Sequence, residues 1–284
     1  MVSTPFARME WDPEFLTRLP MFDPLRVHAP AAFGDDWPSL ADLQRLLEQR
    51  VSRVSNASGT PLRLVAQGRR PRTLEERYEA RMFLRGELQV RERNWHDLLN
   101  VLVWLAFPRA KAALNARHYA ALAAQRAAGA PNRGPAQDAL TLFDEGGVVV
   151  ASSDDGLLEL LREWRWKELF WENRAQLRAR MHFALFGHAI HEKALRPFLG
   201  ITARGVLLTV EPELLAAPPR ERLAELDVRL ASLIADPGRL LATRELAVVP
   251  VLGVPGWSAD NESETFYDNT DYFRPGRLKE KRDS

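Results

Sequence analysis

Three stretches combine side chains able to carry acid–base or metal chemistry. In Asn94-Trp95-His96-Asp97-Leu98-Leu99-Asn100 an imidazole, a carboxylate and two carboxamides lead into Val101 to Phe107, where every residue is apolar. His96 and Asn100 share a helix face with that apolar run, and a buried imidazole or amide without a partner costs about 1–3 kcal/mol. They therefore either find structural partners or act, with Asp97, as catalytic groups, Asn94 and Asn100 orienting substrate. The structural alternative makes Asn94 or Asp97 a helix cap and has His96 bond a neighbouring backbone group.

The second stretch, Met181 to Leu195, reads as a helix whose Met181, Ala184, Leu185, His188, Glu192 and Leu195 form one stripe. His188 and Glu192, one turn apart, can hold a divalent cation such as zinc, manganese or magnesium, with His191 as a third ligand. Gly187 allows close approach of a neighbouring element. The His-Glu-x-x-His spacing of helical zinc proteases is absent, and a purely structural His188–Glu192 pair stays open. The third stretch places Asp138, Thr141, Asp144 and Glu145 on the first arm of an expected hairpin, where Asp144 and Glu145 could bind a cation or activate water. Acidic residues before Gly146-Gly147 are also what a turn prefers.

The elements that must position these groups are mostly helices. Prolines and aromatics alternate over residues 1–38, which blocks continuous helix and sheet and points to an extended arm or short turns packed on the body rather than a disordered tail. Ser39 caps a helix bearing Leu40, Leu43, Leu46 and Leu47, and 61–66 suits a short strand. Amphipathic patterning covers 74–87. Helices follow at 95–107 and 109–127, divided by Pro108 at the start of the second. Residues 139–144 and 148–152 read as a hairpin around Gly146-Gly147, and 155–180 as a helix capped by Asp154 or Asp155. Strands at 206–210 and 247–251 and a helix at 219–235 complete an α+β, predominantly helical single domain with a small antiparallel sheet. The end, 253–284, is an aromatic loop and basic tail, with Trp257 a candidate to line a pocket.

Composition narrows the chemistry. The chain has 284 residues and no cysteine, so disulfides, thiolate catalysis and cysteine-ligated clusters are excluded. With 39 basic and 38 acidic side chains, no overall charge excess points to nucleic acid or membrane. Trp164-Arg165-Trp166-Lys167 interleaves aromatic and basic groups and, with the basic tail, supports a minor nucleic-acid reading. The eight arginines and five glutamates between Arg69 and Arg93 read as a solvated face laced with ion pairs. No signal peptide or spanning segment is evident, so a cytoplasmic protein is expected.

Several blocks together resemble an uncharacterised proteobacterial family, domain of unknown function 3025. They are Asn94 to Asn100, Trp104 to Pro108, Lys111 to Asn115, Asp138 to Thr141 with Phe143-Asp144-Glu145, Trp166 to Trp171, Gly187-His188-Ala189 with Glu192-Lys193, and Gly253 to Trp257 with Phe266-Tyr267. The resemblance spans nearly the whole chain and implies kinship of fold and a bacterial cytoplasmic setting, but no activity. The residues favour a hydrolase using a divalent metal and a small-molecule substrate: His188, Glu192 and His191 as ligands, His96 as base or ligand, and Asp144 or Glu145 reaching in. The competing expectation is a noncatalytic protein with a buried polar network and a protein partner docked on its N-terminal arm or C-terminal loop.

Overall fold

The computed structural model describes residues 9–30, 33–50, 53–129 and 134–275. The N-terminal segment folds into single turns, α1 (Phe15–Arg18) and α2 (Asp23–Arg26), with Pro20 between them. Residues 1–8 and 31–32 of the expected arm lie outside the described residues; in the rest, Trp11, Phe15 and Trp37 surround Trp95, with Trp11 and Trp95 stacked at 5.2 Å between centroids. Next come α3 (Leu40–Glu48), β1 (Arg63–Ala66), α4 (Tyr78–Arg85) and β2 (Glu87–Val90). Ser39 caps α3 through a reciprocal bond with Asp42. β2 was not foreseen; it pairs parallel with β1 and follows α4 through Gly86, whose φ of +65° suits glycine.

Two central helices come next, α5 (Trp95–Ala106) and α6 (Pro108–Ala127). Ten of the twelve residues of α5 are buried, so the helix is enclosed by protein. Pro108 opens α6 where its missing N–H costs nothing. The chain continues with α7 (Pro135–Gly146), β3 (Gly147–Ser152), α8 (Asp155–Arg162), α9 (Arg174–Arg180), β4 (Met181–Leu185), α10 (His188–Ala194), β5 (Thr202–Thr209), α11 (Pro212–Ala216), α12 (Pro219–Ala235) and β6 (Ala247–Pro250). With 53% helix against 13% strand, the class is α+β.

Three local expectations are corrected. Residues 139–146 form the end of α7 and not a hairpin arm, because Ala139, Leu140 and Phe143 make a buried helical face, and the run of β-branched residues is confined to Val148 to Val150. Met181 to Leu195 is strand, then helix: β4 is buried on both faces, so its apolar run carries no period that separates strand from helix. The stretch 155–180 breaks into α8, a π-helical turn at Glu168–Glu172 and α9, with Trp164 at φ +60° ending the first piece. The larger sheet, ordered β4-β3-β5-β6, is mixed rather than antiparallel, since β3 and β5 run parallel in the register Gly147↔Arg204 to Ser152↔Thr209.

α12 is tied to α6 through Asp227, which accepts hydrogen bonds from the backbone N–H groups of Arg109 (3.1 Å) and Ala110 (2.9 Å). Burial raises the Asp227 carboxyl to about 6, against the pull of those bonds and of Arg50 and Arg109. A folded pKa above the unfolded value of 3.8 stabilises the protein fully below pH 4, and the gain is lost as pH rises to 6. Relative to Asp227→Asn, the wild type is expected to lose about 3 kcal/mol of unfolding free energy between pH 4 and 7. Denaturant titrations of both proteins at the two pH values check this; a difference independent of pH contradicts it.

Candidate metal centre

His96 projects from the first turn of α5, which Asn94 caps by accepting the Asp97 N–H at 3.1 Å. His188 opens α10, and Glu145 lies near the end of α7. The three elements meet because Gly187 lets α10 approach the α7–β3 junction. A Cβ there would lie 2.4 Å from the Glu145 carbonyl oxygen and 2.5 Å from the Gly147 nitrogen. Gly187→Ala is therefore expected to push the Glu145 backbone from His188 and to cost several kcal/mol of stability. A calorimetric melt checks it, and a wild-type melting temperature contradicts it.

The cluster is tight. Nε2 of His188 and Nε2 of His96 are 3.0 Å apart, and Glu145 Oε2 is 3.6 Å from the same His188 nitrogen. His96, Glu145 and His188 each offer one ligand atom, all within 4.8 Å of one another. Behind His96, Glu192 Oε2 lies 3.0 Å from Nδ1. Behind His188, Asp144 Oδ2 lies 4.0 Å from Nδ1, and the other Asp144 oxygen accepts from the buried Lys111 ammonium.

Charge and burial set the protonation states. Burial holds the His188 imidazole down to about 3, against the pull of Asp144, so it is neutral near pH 7. For His96, burial is outweighed by the Glu192 hydrogen bond and by the charges of Glu145, Glu192 and Asp97, which raise it. Burial also raises Glu145, partly offset by His96. For Asp144 the burial penalty is overcome chiefly by Lys111, and its carboxyl sits below the usual range.

The cluster forms part of the wall of a cleft of about 670 Å³ shared by α4, α5, α6, α7 and the β1–β2 edge. Tyr78, His118, Gln137, Thr141 and Asn100 line it, with Asp97, Asp144 and Glu145. Asn100 Nδ2 donates to the Tyr78 hydroxyl at 2.8 Å, while its Oδ1 is buried with no partner among the described residues. Asp97 is held by Arg91 through the backbone N–H (2.7 Å) and a bidentate guanidinium (2.8 Å each).

His96, His188, Glu145, Asp144 and Glu192 thus converge. His191 does not: its Nδ1 faces the Gly187 carbonyl at 2.8 Å and its ring stacks on Phe22. Trp257 packs edge-on against Phe183 and lines another groove, beside Phe198 and Leu199. Asn94 is occupied as a cap. The aromatic–basic stretch is engaged internally: Trp166 Nε1 donates to the Arg274 carbonyl, Lys167 pairs with Asp268 and Glu264, and Arg165 pairs with Glu168. The basic tail from 276 lies outside the described residues. Sequence reading assigned no role to Lys111 or His118. Their signal was legible, since Lys111, Asn115 and His118 recur at helical spacing on the inward face of an alanine-rich helix.

The fold and cleft define an α+β protein with a histidine–carboxylate cluster at the junction of three helices. Residues 62–277 match the family described as protein of unknown function (DUF3025), and the chain belongs to that family. No curated protein and no solved structure matches the chain. No helix among the described residues is long and apolar enough to cross a membrane.

Proposed function

We propose that the chain is a hydrolase in which His96, His188 and Glu145 hold a divalent transition-metal ion. The observation that carries this reading is the convergence of one ligand atom each from His96, Glu145 and His188 within 4.8 Å of one another. With His96 neutral and its Nδ1–H on Glu192, His96 Nε2 accepts from His188 Nε2, which leaves the bare His188 Nδ1 facing acceptors of Asp144. A cation between the two Nε2 atoms removes that conflict. Both rings then carry Nδ1–H, one toward Glu192 and one toward Asp144, the carboxylate–histidine arrangement typical of metal ligands. Tetrahedral coordination at about 2.05 Å separates two nitrogens by about 3.3 Å, close to the 3.0 Å between these rings.

Two imidazoles and one carboxylate favour zinc or manganese over magnesium, which prefers oxygen ligands. When bound, such an ion supplies positive charge at the reacting bond and an activated water. Glu192 fixes the ring of His96, the Asp144–Lys111 pair orients His188, and Asn100 and Tyr78 present an amide and a phenol to a bound molecule.

Untagged protein stripped with a chelator and titrated with Zn²⁺ and Mn²⁺ in a calorimeter is expected to bind one ion per chain. The loaded protein is expected to hydrolyse at least one of a panel of 4-nitrophenyl carboxylate and phosphate esters, and to lose this activity on chelation. Absence of binding contradicts the metal site, and binding without hydrolysis contradicts the hydrolase.

A further inference from the structure

The segment leading to the cleft carries a local charge excess hidden by the balanced total. Arg69, Arg70, Arg72 and Arg77 are exposed, and none forms an ion pair among the described residues. Helical patterning would have laced them to glutamates, but 67–77 is irregular, since α4 begins only at Tyr78. Of the two acidic residues of the segment, Glu75 pairs with Arg126 at 3.1 Å, while Glu76 accepts the Arg72 backbone N–H at 2.6 Å and, within the segment, offsets the charge of that arginine alone. Gln67, Pro71 and Arg77 line the cleft, so Arg77 belongs to its wall and Arg69, Arg70 and Arg72 belong to the segment that borders it. Arg91, also lining the cleft, is neutralised by Asp97.

We infer that this segment binds phosphate groups and that the substrate is a phosphate ester, an inference that rests on the metal-hydrolase reading above. Guanidinium donors match phosphate oxygens in forked pairs, and four that form no ion pair among the described residues, on the segment bordering a site for a divalent cation, create a positive approach to an otherwise acidic floor. A neutral carboxylate ester would gain nothing from them. In the reaction the oxygen of water forms the new bond to phosphorus, the ester P–O bond breaks, and the leaving alcohol takes up a proton. The products are an alcohol and a phosphate.

The test uses the full chain and the triple variant Arg69→Glu/Arg70→Glu/Arg77→Glu, with Arg244→Glu, an exposed arginine outside the 67–77 segment and not lining the cleft, as control. In chelator, so that the metal plays no part, a fluorescein-labelled single-stranded decanucleotide and inorganic tripolyphosphate are titrated against each protein. Wild type is expected to bind at least one of them, with a log–log salt slope of about 0.7 per nucleic-acid phosphate contacted. The triple variant is expected to bind at least about tenfold more weakly, with an unchanged melting temperature, and the control as wild type. Preference for the decanucleotide makes the source a nucleic-acid strand; preference for tripolyphosphate makes it a small phosphate compound. With metal-loaded protein and bis(4-nitrophenyl) phosphate, the triple variant should raise KM with kcat nearly unchanged, as expected for lost uniform binding.

No anion binding by wild type, or equal binding by the triple variant, overturns the inference even if metal is taken up. Anion binding that depends on the arginines, in a protein that takes up no metal, overturns the metal reading instead and leaves the phosphate-binding segment standing.

Discussion

His188→Ala is expected to weaken zinc binding by on the order of a hundredfold to a thousandfold, while Glu192→Gln weakens it by about tenfold. The first figure follows from sharing a zinc-binding free energy of roughly 10 kcal/mol or more among three protein ligands, so that losing one removes about 3–4 kcal/mol. The second follows from the place of Glu192, which touches no shared ligand position but holds His96 Nδ1 at 3.0 Å. Outer-shell partners of this kind typically contribute 10- to 100-fold in affinity, and a glutamine retains one acceptor for the ring N–H. His191→Ala serves as the internal comparison. Its ring is buried against Phe22 and away from the cluster, so it should lower stability and leave zinc affinity near wild type. Competition titrations with a chromogenic chelator measure all three. Equal effects of His188→Ala and His191→Ala would sink the assignment of ligands.

Lys111→Met is expected to destabilise the fold by about 3–5 kcal/mol. Lys111 is 3% exposed, and its ammonium is the chief group that overcomes the burial penalty on Asp144. Removing one partner of a buried pair leaves the other charge uncompensated, which costs far more than the pair contributes when intact. In a protein of this size each kcal/mol corresponds to roughly 2–4 °C in Tm, so a loss of about 10 °C is expected. The double variant Lys111→Met/Asp144→Asn removes both charges and should recover most of that loss, and the non-additivity measures the coupling. A Lys111→Met protein as stable as wild type, or a double variant no better than the single one, contradicts the pairing. Because Asp144 also faces His188, the double variant should bind zinc more weakly than wild type even where stability returns.

The candidate site was legible where a polar residue interrupts an apolar run. His96 in the enclosed α5, and His188 and Glu192 after the apolar stretch of β4, announced themselves because hydrophobic surroundings make a polar group costly to leave unpartnered. What sequence could not supply was the break at Gly187. With β4 buried on both faces and α10 only seven residues long, a continuous helix and a strand followed by a helix produce the same apolar pattern. The break changes what each residue does: as the first residue of α10, His188 faces His96 and Glu145, while Glu192, one turn on, stands behind His96. Glu145 is a catalytic candidate from sequence, expected to reach in from a hairpin turn. It reaches the cluster because α7 runs on through Gly146 and meets β3 without a hairpin, a junction that depends on the close contact of Gly147 with Phe143. The central helices were legible to within a residue, since their caps, Asn94 and Pro108, are local signals. The parallel pairing of β3 with β5 spans more than fifty residues and leaves no local trace.

The central claim is that His96 and His188 share a cation. Crystals of the full chain soaked in zinc and measured at the zinc absorption edge test it most directly. The claim predicts one strong anomalous peak within about 2.3 Å of both Nε2 atoms and of a Glu145 carboxylate oxygen. Absence of a peak there, with the two imidazoles still in direct contact at 3.0 Å, would contradict it.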